Sequence, residues 1–481
     1  MKHALNASDI VLIDGSPHRV GEEIADKFVQ GDRVIGLSGG QLLHIPQTDL
    51  RIIEDAVTRS VVAFNELKST SADQVTQFFE EFALRLGDNQ IFGQIQSVNA
   101  ADVVDAKSRG RSTTRLLLTE SMRRDMIAAL LTWSQTPQVD GSILNTTDHS
   151  SWNVSAVKSP LGVVAFVFEG RPNVFADATG VLRSGNSCVF RIGSDALLTA
   201  QAIMELAVLP ALSTSGLPQG AVTLVESRSH ASGWALFSDR RVSLAIARGS
   251  GTAVAQLGAV AQQHGIAASL HGTGGAWMIA GEHADARWFE QVVESSLDRK
   301  VCNTLNVCCV VQSRATELVP VFAEALARAA SNRESHAVLH LDTAASQLLS
   351  EVPNSMTCLD LTRPELANEW EWEDSPECSL VVVESIQEAI ALFNKYAPKF
   401  IVSVISEDSS ELDHVWREAD APFVGNGMTR WVDGQFALDK PELGLSNWQS
   451  GRILGRGGIL SGDSVFSVRY VADQRNAELH R

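Results

Sequence analysis

Apolar residues change their spacing four times along this chain, and each change predicts a different kind of element. In the first 55 residues, VLIDGSPHRV and DRVIGLSGGQLLHIP read as short strands joined by Gly-containing turns. From about 56 to 135 the apolar positions recur every three or four residues, as in SADQVTQFFEEFALRL, NAADVVDAKSRG and TESMRRDMIAALLTW, which predicts helices. GSILNTTDHSSWNVSAVKS mixes turn formers with alternation and reads as an extended arm or hairpin, over 136–158. GVVAFVF and NSCVFRI are then continuously apolar, as expected of strands buried on both faces. A helix from Leu197, the run VTLVE, a short helix near Trp234, SLAIA, a helix from Thr252 and IAASL continue the alternation. Strands alternating with helices imply crossover units and a parallel sheet. A second α/β unit is expected over 276–425, from WMIAG, ARWFEQVVESSL, CCVVQ, TELVPVFAEALARAA, SLVVVES and FIVSVIS. The Gly-rich tail ends in SVFSVRYVAD, a strand that would pair with the extended arm, within one subunit or between two.

Composition narrows the function. A chain of 481 residues suggests two or three domains. Its 44% hydrophobic and 20% charged residues suit a packed protein and not a disordered one. The net charge of −18 offers no basic stripe, so no nucleic-acid partner is expected. An anionic substrate would have to be met by a few local arginines. No stretch approaches the roughly 18 apolar residues of a membrane span, and MKHALNASDIVLIDG lacks the features of a secretory signal. Cys188, Cys302, Cys308, Cys309, Cys358 and Cys378 are sparse and irregularly spaced, which suits a reducing cytoplasm.

Three small-residue turns stand where strands pass into helices: Gly193-Ser194-Asp195, Arg248 to Gly251 (RGSG), and His271 to Gly275 (HGTGG). Such turns expose backbone N–H groups at a positive helix end, where a phosphate can sit. Each alone is equally well explained as a tight turn. Three at the ends of successive strands favour a nucleotide site. In DRKVCNTLNVCC, Cys302 follows two cations, Arg299 and Lys300, which would favour its thiolate. Cys308 and Cys309 lie in a strand-like run whose alternation sends them to opposite faces, so no metal site is expected. Buried packing is the default for all three thiols, and Cys302, ahead of the strand in polar company, is the best exception. In EGRPNV, Arg171 could grip a carboxylate or phosphate and Asn173 could donate to an oxyanion; a Pro-containing turn with a solvated Arg explains the same residues.

In this order, the pieces resemble the aldehyde dehydrogenase superfamily, and within it the glutamate-5-semialdehyde dehydrogenase (γ-glutamyl phosphate reductase) family of proline biosynthesis. The likeness runs from about 56 to 475. Its most specific stretch is SPLGVVAFVFEGRPNVFADATGVLRSGNSCVFRIGSDAL, followed by GLPQGAVTLVE, ARGSG, VCNTLNV, VDGQFALDKPELGLS and GRILGRGGIL. The resemblance implies an α/β, aldehyde dehydrogenase-like fold: a Rossmann-like cofactor domain, an α/β catalytic domain and a small β oligomerisation arm. On that basis 1–55 is an extra β-rich segment, 56–275 binds cofactor, 276–425 carries the nucleophile, and 426–481 returns to the cofactor domain with an oligomerisation strand. Cys302 is then the nucleophile, with Asn173 and the Cys302 N–H as the oxyanion hole. Arg191, Gly193, Ser194, Asp195, Arg248, Gly249, Gly272 and Gly274 border the cofactor. Arg171, Asn303, Asn306 and Arg456 face the substrate.

Several positions depart from the family's pattern. Asn306 stands where it carries Glu, Gly170 where it carries Ala, Arg-Lys-Val precedes the cysteine, and GRGGIL lacks a customary Pro. The implied reaction is reduction of an acyl phosphate, with L-glutamyl 5-phosphate leading. The rivals are another amino-acid-derived acyl phosphate, an acyl-CoA or carrier thioester, and a non-enzymatic homologue whose first 55 residues dock a kinase or carrier. Asp195 at a ribose-facing turn points to NAD, whereas Arg191 and the family habit point to NADP(H), which is favoured. A homodimer or homotetramer is expected.

Overall fold

The continuously apolar runs become strands with a hydrophobic layer on each side. In the computed structural model, which describes residues 5–111, 113, 115–445, 458–475, 478 and 480, two parallel sheets carry the fold. We number their strands β1 to β12 in chain order. The first sheet comprises β1 (Val163–Phe168), β2 (Ser187–Ile192), β3 (Val222–Leu224), β4 (Val242–Arg248) and β5 (Ala267–His271), in the order β5-β4-β1-β2-β3. Every residue of β1 and β2 is buried. Val164, Phe166 and Phe168 face one core with Phe190 and Ile192; Val163, Ala165 and Val167 face another with Ala245 and Val260. That two-sided burial is why these strands read as unbroken apolar runs instead of alternating ones.

The second sheet comprises β6 (Ala276–Ala280), β7 (Leu305–Val311), β8 (Ala337–Leu341), β9 (Met356–Asp360), β10 (Glu377–Val383), β11 (Ile401–Ile405) and β12 (Phe423–Gly425), in the order β9-β8-β10-β7-β6-β11-β12. It too has a core on each face. The chain divides into two compact units. One runs to Gly272 and includes Asp439–Gly444 and the chain from Leu460; the other holds Thr273–Leu438 and Leu445–Ile459.

The N-terminal segment forms two hairpins, Ile10–Ile13 with Ser16–Arg19 and Arg33–Gly36 with Leu42–Ile45. Asp14 (φ 49°) and Gly15 (φ 78°) close the first as a two-residue turn with both central residues left-handed, the geometry that matches strand twist. Ile35, Leu37, Leu43 and Ile45 join the core on one face of the first sheet. The helical pattern begins earlier than the sequence suggests: α1 spans Gln47–Leu67. Pro46 supplies an extended N-cap there, and the apolar face begins at Leu50 and Ile53. Helix α2 (Ala72–Gly87) opens with a capping box between Ser71 and Gln74.

The extended arm is a hairpin, Ile143–Asp148 with Trp152–Pro160. The terminal strand Phe466–Gln474 pairs antiparallel with Trp152–Pro160 along its whole length, so the pairing is made within one chain. The expectation that no segment has the length and apolarity of a membrane span needs correction. The helical run Ser194–Ser215 reaches a mean hydropathy of 1.6, with 61% of that window buried. Its Ala200, Ile203, Ala207, Val208, Ala211 and Leu212 belong to the first sheet's core, which explains the apolar composition.

Candidate functional site

In the first sheet the chain runs outward from β1 through β2 to β3, then returns to place β4 on the other side of β1. Beyond the carboxyl ends of β1 and β4 the order reverses, and in open α/β sheets that crevice is where ligands bind. Glu169, just past β1, donates its N–H to the Arg248 carbonyl (3.1 Å), and its carboxylate accepts from the Ser250 N–H. At Gly249 the backbone closes on the Glu169 side chain: a Cβ there would lie 2.8 Å from Glu169 Oε1 and would displace it. Gly193 needs no unusual φ (−54°), but a Cβ on it would lie 2.9 Å from the Gly170 nitrogen. These close approaches make a backbone cradle. The helix Gly251–Gln263 starts beside it; its N-cap, Ser250, makes no side-chain capping bond, and the Glu169 carboxylate stands at this positive end. Gly272, after β5, closes on Gly251 in the same unit. The residues fit a dinucleotide phosphate and ribose.

The acidic residue of the first turn is not a bare charge. Asp195 pairs with Arg109 (3.0 Å) and Arg111 (2.8 Å). Sequence reading missed both arginines; the available signal was the basic run KSRGR after a helix. Arg191, which pointed to NADP, is 5% exposed and donates to the Ser229 carbonyl (3.0 Å) and Ser232 Oγ (3.4 Å). Burial lowers its pKa, and Asp49 partly opposes that. His230 is also held below its usual pKa, by burial and then by Arg191 and Arg111. Arg248 reaches Glu442 (3.4 Å) and lies over the Phe168 ring.

In the second unit, Cys302 sits in the turn before β7, partly exposed. Thr304 builds the turn: its Oγ1 accepts from the Val301 N–H (2.9 Å) and donates to the Arg299 carbonyl (2.6 Å). Gly275 N–H donates to the Cys302 carbonyl at 2.8 Å. Gly274, grouped by sequence with the cofactor turns, lies against the cysteine. A Cβ on it would fall 2.6 Å from Cys302 Cα, so only glycine lets the two segments meet. Asn303 donates to the Val432 carbonyl (2.8 Å) and accepts from Arg430, so both its polar ends serve the protein. Asn306, 3% exposed, donates to the Asn368 carbonyl (2.8 Å) and accepts from the Trp370 N–H (2.9 Å).

Cys308 and Cys309 are fully buried on opposite faces of β7, each in a different core. Burial raises both thiol pKa values far above the ordinary range, which keeps them protonated and unreactive. The cations next to Cys302 are not both available to it. Lys300, with its side chain 4% exposed, is paired with Glu369 at 2.8 Å, a partner that no local pattern indicates. Asn173 stands at the N-cap of Val174–Ala178, and its side chain makes no capping bond. Arg171 is half-buried in the same loop. Arg456 lies outside the described residues.

A sequence profile described as the aldehyde dehydrogenase family matches residues 36–338. The fold is similar to a γ-glutamyl phosphate reductase from Thermotoga maritima, with a TM-score of 0.77 at 22% identity, covering 89% of this chain and 100% of that one. It is similar to an acetylating aldehyde dehydrogenase from Geobacillus thermoglucosidasius (TM-score 0.64, 14% identity, 90% and 99% covered). It is also similar to a propionaldehyde dehydrogenase from Rhodopseudomonas palustris with bound propionyl-CoA (0.63, 16%, 87% and 93%).

Proposed function

This chain belongs to the aldehyde dehydrogenase family, and on that premise we propose that it reduces an acyl phosphate, with L-glutamyl 5-phosphate the leading substrate, to the semialdehyde through a thioester on Cys302. The observation that carries the reading is the contrast within one thiol cluster. Cys302 is partly exposed on a built turn, while Cys308 and Cys309 are sealed in the sheet. The Cys302 thiolate attacks the acyl carbon, the C–O bond to phosphate breaks, and phosphate leaves with the electron pair. Asn173 and the Cys302 N–H are the proposed donors to the tetrahedral oxyanion, each worth about 3 kcal/mol. Arg171 and Arg456 are the proposed anion contacts of the substrate. The bound nicotinamide cofactor supplies the hydride. The C–S bond then breaks, releasing aldehyde and thiolate.

Asn306 supports reduction over hydrolysis. An amide cannot take a proton from water, and both its polar atoms are already bonded. For the cofactor, Asp195 would repel a 2′-phosphate if it were bare, but it is paired with Arg109 and Arg111, and Arg109 also pairs with Asp105 (2.6 Å), so the cluster is neutral. With that repulsion removed, NADP(H) stays favoured over NAD(H) on the family resemblance. An oligomer built on the arm, a cytoplasmic setting consistent with six free thiols, and docking of a kinase or carrier on the N-terminal segment complete the reading. The last is supported by Ile10 and Leu12, 63% and 72% exposed on the first hairpin.

The test runs the reaction in reverse. With glutamate semialdehyde and NADP⁺, the purified protein should form NADPH only when inorganic phosphate is present. Turnover that needs CoA and ignores phosphate would replace the acyl phosphate with an acyl thioester as substrate.

A further inference from the structure

Asn306 raises a question that its departure from the family's pattern does not answer: why an amide should be buried there with both ends occupied. Its Nδ2 donates to the Asn368 carbonyl and its Oδ1 accepts from the Trp370 N–H. One planar group has to present a donor and an acceptor side by side, so a carboxylate of either length leaves the Asn368 carbonyl without a partner. Trp370 is fixed from its other side as well. Its indole N–H donates to Ser379 Oγ at 2.8 Å, and its ring stacks on His340 at 3.8 Å between centroids and 3° between planes. His340 is in turn bonded to Glu377 at 2.7 Å.

Residues 368 and 370 are therefore pinned, and Glu369 between them is aimed. Its Oε2 accepts from the Gly274 N–H at 2.9 Å, and its Oε1 receives Lys300 Nζ at 2.8 Å. Gly274 is the residue whose Cα surface abuts Cys302, and Gly275 donates to the Cys302 carbonyl. We propose that Asn306 and Glu369 are positioning residues for the nucleophile: Asn306 latches the Asn368–Trp370 segment, and Glu369 uses that latch to brace the Gly274-Gly275 turn against Cys302 while neutralising Lys300. The inference rests on the reading of Cys302 as the nucleophile. It assigns the amide at 306 a role that the family's carboxylate cannot fill.

The experiment uses the full-length protein and two readouts. The first is the rate of Cys302 alkylation by iodoacetamide against pH, followed by peptide mass; the second is kcat and KM in the phosphate-dependent assay. Glu369→Gln keeps an acceptor for Gly274 but releases Lys300, so the alkylation midpoint should move to lower pH by about half a unit. Glu369→Ala also removes the bond to Gly274 and should lower kcat at least tenfold with KM changed less than threefold. Asn306→Glu and Asn306→Asp should each lower kcat at least tenfold and slow alkylation. Retained or increased kcat in Asn306→Glu would overturn the brace, because it would mean that a carboxylate serves there. An alkylation curve and kcat unchanged in both Glu369 variants would overturn it as well. Glu369→Gln is isosteric, so it still decides if Glu369→Ala fails to fold. Failure of the substrate reading looks different: no phosphate-dependent turnover in the wild type, with the alkylation shifts intact.

Discussion

The unequal fate of three nearby thiols is the main lesson at the scale of single residues. Cys302→Ser should abolish reductive turnover. Cys308→Ser, which exchanges a buried thiol for a smaller hydroxyl inside β7, should keep kcat within about threefold while lowering the denaturation midpoint, since it buries a hydroxyl. Steady-state kinetics beside urea denaturation separate these outcomes. Loss of turnover in Cys308→Ser with the fold intact would return the cluster to ambiguity. The unequal burial of these thiols was readable because polar neighbours precede Cys302, whereas β-like alternation surrounds the other two. Local reading misjudged the charge. Lys300 looked like a cation free to favour the thiolate, but Glu369, 69 positions away, takes it up. Arg191 and Asp195 were likewise weighed as isolated charges, yet one is buried under the Ser229–Ser232 turn and the other is bracketed by two arginines.

At the scale of elements, the strands buried on both faces were the most legible part of the fold, and they set its stability. Phe190 in β2 is fully buried, with its ring 5.0 Å from Phe166 and 4.7 Å from Phe175. Phe190→Ala should cost about 3–5 kcal/mol in the unfolding of the first unit, because the rigid strands on either side cannot close the cavity. Urea titration followed by circular dichroism measures this; a loss under 1 kcal/mol would mean that the core repacks. The strands of the second sheet that local pattern did not reveal are β8, β9 and β12. Strand β9 buries only Met356 among its five residues, so as an edge strand it carries no continuous apolar run. The segment that follows it brings Glu369 to the Gly274 turn and Trp370 to Asn306, and its sequence, NEWEWEDSP, alternates like a strand although no strand forms there, so the local period does not announce its role.

At the scale of the whole molecule, the arm offers a surface that one chain leaves uncovered. Val468 and Tyr470, two apart on the terminal strand and so on one face, are 38% and 76% exposed. Exposed apolar patches of this kind mark association surfaces. Tyr470→Asp should reduce the wild-type mass seen by light scattering to that of a 51.9 kDa monomer. A wild type that is already monomeric would remove the arm as an interface.

The sequence by itself determined the α/β class, the succession of most strands and helices, the glycine turns, and the one cysteine in polar surroundings. All of these are encoded by spacing within a few residues: period 3.6 against buried runs, and small residues where backbones must approach. Only the tertiary structure decided which charges cancel and what Asn306 does. It also placed Gly274 against Cys302. Ion pairs, amide latches and the space left for a missing Cβ depend on residues that folding brings together from distant parts of the chain, and no local period records them.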